Sequence, residues 1–572
     1  MIIPVAPETR MDVAAQAAPV AASSSVATGT AKVPAIARFL PSLTDLAFMM
    51  PIIFVFVKLA GARTLLGDGD TGWHIRTGQW ILAHHMVPTV DMFSYSRPGA
   101  PWFAWEWLWD VCFAVLFSKW GMPSVVLGSM AVICFTNALL FRLVRRKCGN
   151  GLVAIAVTLL ATGGCAIHWL ARPHLFTLLF FVVSMHITER AREGRTRLLA
   201  WLVPLTLLWT NLHGGFFVLF LLLACYIGGD LLNAVLERDP VARRGYLAAV
   251  KPWLLTFVVC FAVTFINPYG WQLHKHVIEY ISDPYQLQHI TEFQSMNFHS
   301  PVVVYFEPLM AVAFFVALWD LRNRRFVEVF ASMGWLHLAL MAQRNLPLFA
   351  LAVAPEVARG ISAVLGEARL SNLASWIPKV STWFVGAAAS TDETDRIPRV
   401  HLVSAMAVAI IGLLLFAPAP LNDKFISTYD PAYYPEKALS LLAAPDVHHI
   451  FAEDEWGDYL VYQLYPKGKK VFIDGRSDFY GDDFGERYLD LMNVKWDWQS
   501  TLDKYSVDTI AISPKFALTQ TLKISPDWRV VYDDTVTVVF RRNQSQPVPF
   551  VSSNEGSSRD RKIAKTTTQP NT

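Results

Sequence analysis

Apolar residues fall into long blocks along the chain. About a dozen of these blocks hold about 17 to 22 residues each, enough for a helix to cross a ~30 Å hydrocarbon core. One such block would also suit a buried core helix, but a dozen in series leave too little polar surface for a soluble protein. The pattern therefore predicts a polytopic α-helical membrane protein with about 11–13 transmembrane helices, from the blocks 42–62, 103–119, 122–144, 151–170, 172–188, 198–214, 215–235, 250–267, 302–320, 326–343, 345–362 and 400–419.

The composition agrees with this prediction. Of the 572 residues, 53% are hydrophobic and 17% are charged, whereas soluble domains carry about 25% charged residues. Such a chain is too apolar to be disordered, and its net charge of +3 gives no reason to expect nucleic-acid binding. The six cysteines lie in or beside apolar blocks without a C-x-x-C pair, so neither a disulfide framework nor a zinc site is expected.

The distribution of Lys and Arg predicts the orientation, because cytoplasmic loops collect these residues. Three Arg-rich stretches are placed inside: 189–197, 237–244 and 321–325. Alternation then places outside the loops 63–103 and 268–301, the turn at 212–215 and everything after 420. The basic stretch 142–147 also has cytoplasmic character, so block 103–119 is either a complete crossing or a partial, interfacial helix.

Composition changes along the chain predict its domain organisation. The expected regions are a disordered cytoplasmic tail (1–38), a transmembrane domain (39–419), an extracytoplasmic α/β domain (420–545) and a disordered tail (546–572). The α/β domain is predicted from strands that alternate with helices. The strands are expected at 449–453, 470–474, 508–513, 529–532 and 535–541, the last two as a hairpin, and the helices at 456–465, 482–493, 499–505 and 516–523.

The outer loop 63–103 carries two acids directly after the first apolar block, Asp68 and Asp70. Carboxylates close to the membrane surface are costly and are retained mainly where they bind or react. Gly69 between them permits a close backbone approach to a ligand. An interfacial helix is predicted to follow, from Gly72 to His84. The alternative is structural: Asp70 or Thr71 would cap that helix and Asp68 would be solvated.

Two arginines stand at the ends of apolar blocks, Arg172 and Arg344. Arg is costly there without an anion, although snorkelling to lipid headgroups would also explain it. His174 and His213 lie nearby in the pattern, either as ligand contacts or as hydrogen-bonded packing residues. In the C-terminal region, Asp474 and Arg476 follow a predicted strand, where α/β sites often form, or they form an ion-pair cluster.

Several runs resemble the glycosyltransferase C superfamily, which includes protein mannosyltransferases, oligosaccharyltransferases and aminoarabinose transferases. The chain is also similar over roughly 40–545 to a branch of bacterial polytopic membrane proteins. The runs that carry the resemblance are Asp68-Gly-Asp70-Thr-Gly-Trp73-His74, Pro88-x-x-Asp91-x-Phe93-Ser94-Tyr95, Trp105-Glu106-Trp107-Leu108, Ala171-Arg172-Pro173-His174, Asn211-Leu-His213-Gly214-Gly215, Asn267-Pro268-Tyr269-Gly270, Arg344-Asn345-Leu346-Pro347 and Phe472-Ile-Asp474-Gly475-Arg476.

The resemblance implies an inverting transferase that moves a sugar from a polyprenyl-phosphate donor to a glycan, lipid or protein acceptor of the cell envelope. It would work at the outer face of the bacterial inner membrane, with the N-terminus in the cytoplasm. The general base would be Asp70, preferred because the following helix would aim it, or Asp68. The implied donor-phosphate contacts are Arg172, Arg344, His174 and His213, and the implied substrate contacts are His74, Glu106, Asp474 and Arg476.

Two questions stay open at the level of sequence. A divalent cation, Mg²⁺ or Mn²⁺, would suit Asp68, Asp70 and His74, but the superfamily also includes members that need none. The function also has alternatives: a transporter or flippase of lipid-linked sugars, or a non-catalytic envelope-assembly scaffold of the same fold.

Overall fold

The computed structural model of the protein describes residues 35–369, 374 and 376–543. The predicted tail 546–572 and residues 1–34 of the predicted tail 1–38 lie outside the described residues. At the start of the described chain, a short 3₁₀ helix covers Ala35–Phe39.

The chain is a polytopic helical membrane protein, as predicted. Among the described residues, seven helical segments are long and apolar enough to cross a bilayer. They are Ile36–Lys58, Met122–Cys148, Gly151–His168, Gly214–Leu236, Pro240–Val263, Val303–Arg322 and Gln343–Ala368. Four further helices lie between and after these segments: His174–Arg192, Leu202–Leu212, Phe326–Met341 and Leu402–Leu415.

The apolar block 103–119 is not a span of this kind. Its helix, Trp107–Trp120, has 14 residues and is therefore roughly 21 Å long, shorter than the ~30 Å hydrocarbon core. It packs against the helix Asp70–His84 between the first two spans. Before residue 150, the described chain therefore has two helical segments that are long and apolar enough to span, Ile36–Lys58 and Met122–Cys148.

Small residues let the membrane helices approach each other closely. A Cβ on Gly163 would lie 2.3 Å from the Tyr305 ring, and one on Gly360 would lie 2.3 Å from a methyl group of Val316. Lipid tails provide no hydrophobic drive for helix association, so close packing at such positions contributes much of the stability. The remaining helices of this part of the chain are Ala62–Leu65, Trp271–Ser282, Pro284–His289 and Trp376–Asp395.

The C-terminal part contains the predicted α/β unit, a five-stranded sheet in the order β2-β1-β3-β5-β4. β1 pairs in parallel with β2 and β3, whereas β5 is antiparallel to β3 and β4. The strands are β1 His449–Ala452, β2 Lys470–Val471, β3 Thr509–Ile512, β4 Trp528–Asp533 and β5 Val538–Arg542. The helices are Leu439–Leu442, Asp454–Leu464, Ser477–Tyr480, Asp482–Met492, Trp498–Lys504 and Ala517–Ile524.

The free edge of β2 is covered by the first outer loop. The backbone N–H of Tyr95 donates to the carbonyl of Val471 at 3.0 Å, and the N–H of Val471 donates to the carbonyl of Phe93 at 3.1 Å. Pairing of this kind satisfies groups that a bare edge strand would leave open. It also holds the loop against the α/β unit.

Candidate active site

Arg172 holds both acids of the first outer loop. Its Nη2 lies 2.5 Å from Asp70 Oδ2, and its Nη1 donates to Asp68 Oδ2 at 2.7 Å. The arginine therefore does not snorkel to headgroups, and Asp68 is not simply solvated. Its backbone neighbour Ala171 fixes the geometry, because the Ala171 N–H donates to Leu65 O at 2.7 Å and its carbonyl accepts from Thr71 Oγ1 at 3.1 Å.

The helix that carries Asp70 begins earlier than predicted. It covers Asp70–His84 with Gly69 as its N-cap, so Asp70 occupies the first turn, where a carboxylate interacts favourably with the helix dipole. Trp73 of this helix is buried and donates from Nε1 to Asp70 Oδ1 at 3.0 Å. This contact aims one carboxylate oxygen.

Gly69 allows another segment of the protein, and not a ligand, to approach its backbone closely. A Cβ at this position would lie 2.7 Å from both Asp458 Cβ and the Glu455 carbonyl oxygen. The helix Asp454–Leu464 therefore packs directly against the two acids. No motif singled out Asp458 in the sequence, because only folding brings it beside residues almost 400 positions earlier.

Asp68, Asp70 and Asp458 form one acidic group. One oxygen from each lies within 4.8 Å of the others. Three carboxylates are the hard oxygen ligands that Mg²⁺ and Mn²⁺ prefer, so this donor set fits a divalent cation. His74, which the sequence grouped with the two acids as a metal ligand, is not part of this set.

Burial dominates the electrostatics of the group. It raises the pKa of Asp70 above the ordinary range, against the lowering effect of Arg172, and the charge of Asp68 raises it further. The pKa of Asp458 is raised in the same way, by burial first and then by Asp70. A carboxylate whose pKa lies closer to neutrality is a stronger base than a solvated Asp.

Glu106 lies between two histidines. Its Oε2 is 3.4 Å from His74 Nε2, and its Oε1 is 3.3 Å from His213 Nε2. His74 Nδ1 lies 2.7 Å from Asp110 Oδ1. His213 Nδ1 accepts from the Gly215 N–H at 3.0 Å, so a neutral His213 carries its proton on Nε2 and directs it at Glu106. Burial raises the pKa of Glu106 to about 8, despite the lowering effect of Arg172.

Arg344 lies over aromatic rings. Its guanidinium carbon is 4.4 Å from the centre of the Phe293 ring, and Nη1 lies 3.4 Å from the Tyr280 hydroxyl. Among the residues that the structure describes, no carboxylate lies within ion-pair distance of Arg344. Phe293 and Tyr280 belong to the outer loop 268–301. The sequence analysis did not identify either of them as a site residue.

The same loop contributes another acid that the sequence analysis missed, Glu292. Its carboxylate lies 3.6 Å from His168 Nε2 and 3.9 Å from Arg172 Nη1. The surrounding arginines, Arg344 first, hold its pKa at about 2 against the effect of burial. The carbonyl of His168 in turn accepts from His174 Nε2 at 2.7 Å.

Asp474 and Arg476 form a buried ion-pair cluster. Arg476 Nη2 donates to Asp474 Oδ2 and to Asp91 Oδ1, both at 2.7 Å, and Arg476 is 2% exposed. The third member, Asp91, comes from the first outer loop. The sequence analysis did not connect this residue with Asp474 and Arg476. The cluster therefore joins this loop to the α/β unit.

A cavity of about 360 Å³ brings most of these side chains together. Its polar wall contains the predicted residues Asp70, His74, Glu106, Arg172, His174, His213, Arg344 and Arg476. Asp68 and Asp474 stand behind this wall, as partners of Arg172 and Arg476. The segment 475–478 of the α/β unit also lines the cavity, so its wall includes both parts of the chain.

The opposite wall of the cavity is apolar. It includes Leu178, Phe217, Leu221, Leu338 and Met341. Phe217, Leu221 and Met341 are partly exposed on the surface of the helical bundle, at 37%, 39% and 57%. The cavity therefore combines charged groups with an apolar surface that reaches the exposed side of the helical bundle.

The chain is similar to several solved structures of membrane proteins. An archaeal oligosaccharyltransferase, AglB from Archaeoglobus fulgidus, solved in complex with an inhibitory peptide and a dolichol-phosphate, gives a TM-score of 0.49 at 11% identity over 82% of this chain and 69% of that chain. ArnT from Cupriavidus metallidurans in the apo state gives 0.43 at 15% identity over 86% and 97%. The same protein bound to undecaprenyl phosphate gives 0.38 at 13% identity over 88% and 98%.

No family model matches the chain, and none of the curated proteins matches it.

Proposed function

We propose that the protein is an inverting glycosyltransferase that moves a sugar from a polyprenyl-phosphate donor to an acceptor of the bacterial cell envelope, at the outer face of the inner membrane. One observation carries the proposal: a single cavity joins a buried carboxylate, Asp70, and an arginine that makes no ion pair within 4 Å among the described residues, Arg344, to an apolar wall at the surface of the helical bundle. A lipid-linked phosphosugar has this combination of charge, polarity and hydrocarbon.

The reaction begins with Asp70 as general base. Its carboxylate takes the proton of the acceptor hydroxyl while the hydroxyl oxygen bonds to the anomeric carbon. The bond from that carbon to the phosphate oxygen breaks, and its electron pair stays with the polyprenyl phosphate. Direct displacement from the opposite side inverts the anomeric centre. Arg172 and Trp73 hold the base in place, which lowers the entropic cost of reaching the reactive geometry.

Arg344 is placed to stabilise the leaving phosphate. Its guanidinium carries charge that no carboxylate within 4 Å neutralises among the described residues, and stacking on Phe293 fixes its plane. Preorganised charge at the position where negative charge develops is commonly the largest contribution to catalysis. His174 and His213 line the same wall and would contact the phosphate as hydrogen-bond partners.

A divalent cation would be held by Asp68, Asp70 and Asp458. When bound there it would supply positive charge to the phosphate of the donor. Arg172 already neutralises part of the charge on Asp68 and Asp70, so the acids and the arginine remain an ordered unit with or without metal.

The α/β unit is proposed to help bind the acceptor. Arg476 and its neighbours Ser477 and Asp478 form part of the cavity wall, and Asp478 accepts from His276 Nε2 at 3.0 Å. Asp474 supports this role indirectly, because it fixes the guanidinium of Arg476. Glu106 and His74 line the wall from the membrane part, at a position suited to sugar hydroxyls.

The test is transfer of label by the full-length protein reconstituted in proteoliposomes. A panel of radiolabelled undecaprenyl-phosphate monosaccharides is supplied with an envelope fraction as acceptor, and label is followed from the lipid to the acceptor. Asp70→Asn is expected to reduce transfer by ~10²–10⁴-fold, the usual contribution of a general base. Asp423→Asn, at an exposed acid of the outer side, is the matched control and is expected to retain full transfer.

Other outcomes separate the rival functions. If labelled sugar crosses the bilayer and no new glycosidic bond forms, the proposal of a transferase is overturned and the protein is a flippase. If the protein binds the donor lipid but neither transfers any sugar nor moves it across the bilayer, the function is that of a non-catalytic scaffold. Full transfer by Asp70→Asn would overturn the assignment of the base.

A further inference from the structure

A second cavity lies at the opposite membrane face from the candidate active site. Its volume is about 460 Å³. It forms where the helix Met122–Cys148 ends and the helix Gly151–Cys165 begins, beside the end of the helix Trp376–Asp395. The segment Gly151–His168 runs from this cavity to the active site over 18 residues, which is roughly 27 Å of helix.

Positive charge dominates the lining of this cavity. Two acids are present, Asp392 and Asp395. The lining contains more arginines than acids: Arg142, Arg145, Arg146, Arg396 and Arg399. An excess of this kind in one cavity needs a structural explanation, because like charges at close range repel each other.

The two acids are already occupied. Arg145 Nη2 lies 3.1 Å from Asp392 Oδ1, and Arg145 also pairs with Asp395. Other oxygens of the two carboxylates accept hydrogen bonds from backbone N–H groups. The Leu43 N–H donates to Asp395 at 2.9 Å, and the Gly151 N–H donates to Asp392 at 3.1 Å. The acids thus tie helix ends together and do not neutralise the other arginines of the lining.

Three arginines of the lining have no carboxylate within ion-pair distance among the described residues: Arg142, Arg396 and Arg399. Arg142 and Arg396 are exposed towards the cavity mouth. Arg399 donates from Nη2 to the Thr394 carbonyl at 2.9 Å, and its buried Nε has no hydrogen-bond partner. The cavity therefore presents uncompensated guanidinium groups with donors still available.

We propose that this cavity binds a phosphate group. Guanidinium forks match the geometry of phosphate oxygens and form paired, charge-assisted hydrogen bonds with them. The cavity lies at the ends of membrane-spanning helices, the level at which the headgroup of an anionic phospholipid would lie. Basic pockets between membrane helices commonly bind such headgroups. Soluble phosphate is the other source of the same chemistry.

The test uses delipidated full-length protein in detergent. Binding of phosphatidylglycerol and of phosphatidylcholine is measured by native mass spectrometry, and inorganic phosphate is titrated in a thermal-shift assay. The double variant Arg142→Ala/Arg396→Ala removes two cations that make no ion pair in the described chain. The matched control is Arg243→Ala/Arg244→Ala, at two exposed arginines near the start of the helix Pro240–Val263 on the same membrane face.

The expected result is that phosphatidylglycerol binds the wild type at least tenfold more tightly than phosphatidylcholine, and that the double variant alone loses this preference. A shift caused by inorganic phosphate, absent in the double variant and without lipid preference, would support the phosphate site and identify its source as soluble. If neither probe distinguishes the double variant from the wild type and the control, the proposal is overturned. A melting temperature equal to that of the wild type verifies that the double variant is folded.

Discussion

The side chains of Arg172 and Asp70 meet at 2.5 Å although about a hundred residues separate them in the chain. Arg172 follows the span Gly151–His168, and Asp70 opens the helix after the first span. Their contact gives the cavity a carboxylate of fixed direction. It also gives the two acids of the first outer loop different environments, since Asp70 lines the cavity and Asp68 lies behind it.

Asp68→Asn is expected to impair transfer much less than Asp70→Asn. The amide removes one of the two acids that hold Arg172, but the pair between Arg172 and Asp70 remains. We expect less than a tenfold loss of kcat for Asp68→Asn, against the ~10²–10⁴-fold loss expected when a general base is removed. Single-turnover transfer rates of both variants measure the difference. The reverse order of effects would make Asp68 the base.

Arg344→Gln is expected to remove recognition of phosphate without removing recognition of the lipid chain. The matched ligands are undecaprenyl phosphate and undecaprenol, which share the hydrocarbon and differ in the phosphate. The wild type should prefer the phosphate form by roughly tenfold or more, because a charge-assisted hydrogen bond contributes ~1.5–3 kcal/mol. Arg344→Gln should lose most of this preference, because only the weaker contacts of His174 and His213 remain. A preserved preference in the variant would place the phosphate elsewhere in the cavity.

Glu106→Gln is expected to abolish an alkaline change in KM. The pKa of Glu106 is raised by burial to about 8, so the wild type presents a neutral carboxyl group below that pH and a carboxylate above it. Gln reproduces the neutral form at every pH. The KM for acceptor should therefore agree between variant and wild type at pH 7, and rise between pH 8 and 9 in the wild type alone. A KM already raised several-fold at pH 7 in the variant would mean that the charged form binds the acceptor.

Gly475→Ala is expected to disturb the acidic group directly. A Cβ at Gly475 would lie 2.4 Å from Asp458 Oδ2 and 2.6 Å from Asp70 Oδ1, closer than atoms can approach. Displacing Asp70 by about 1 Å should reduce transfer by the order of 10²-fold. Gly366→Ala is the control, since a Cβ there meets no atom within 4 Å. Wild-type transfer rates in both variants would show that Asp70 can move without consequence.

Arg476→Met is expected to destabilise the protein more than it changes binding. It leaves Asp474 and Asp91 buried without their cation, and breaking a buried pair in this way costs ~3–5 kcal/mol. The first outer loop and the α/β unit should then unfold or separate at lower temperature, which a thermal-shift assay detects. Arg529→Met, at an exposed arginine of β4 that makes no ion pair within the described chain, is the control and should melt like the wild type. Equal melting of both variants would contradict the structural role of the cluster.

Local patterns along the chain were enough to predict both kinds of structure in the protein. The apolar blocks predicted a polytopic membrane protein, and alternating strands and helices predicted the C-terminal α/β unit close to its observed bounds, down to β1 at His449–Ala452. Both predictions rest on the local pattern of hydrophobic residues, because a segment in lipid and a segment in water need different patterns. Charge at the ends of apolar blocks also indicated Arg172 and Arg344, because arginine at that depth is costly without a partner.

Which charged side chains meet depends on how distant segments pack in three dimensions. Asp458, Glu292 and the Asp91 partner of Arg476 lie in segments that no local pattern connects with the site, and they arrive there through long-range packing of loop, helix and sheet. The separation of Asp70 at the cavity from Asp68 behind it likewise depends on where one arginine from a later span is placed. The local sequence indicates that a charged side chain is costly to bury. The residue that pairs with that side chain is fixed by contacts between segments far apart in the chain.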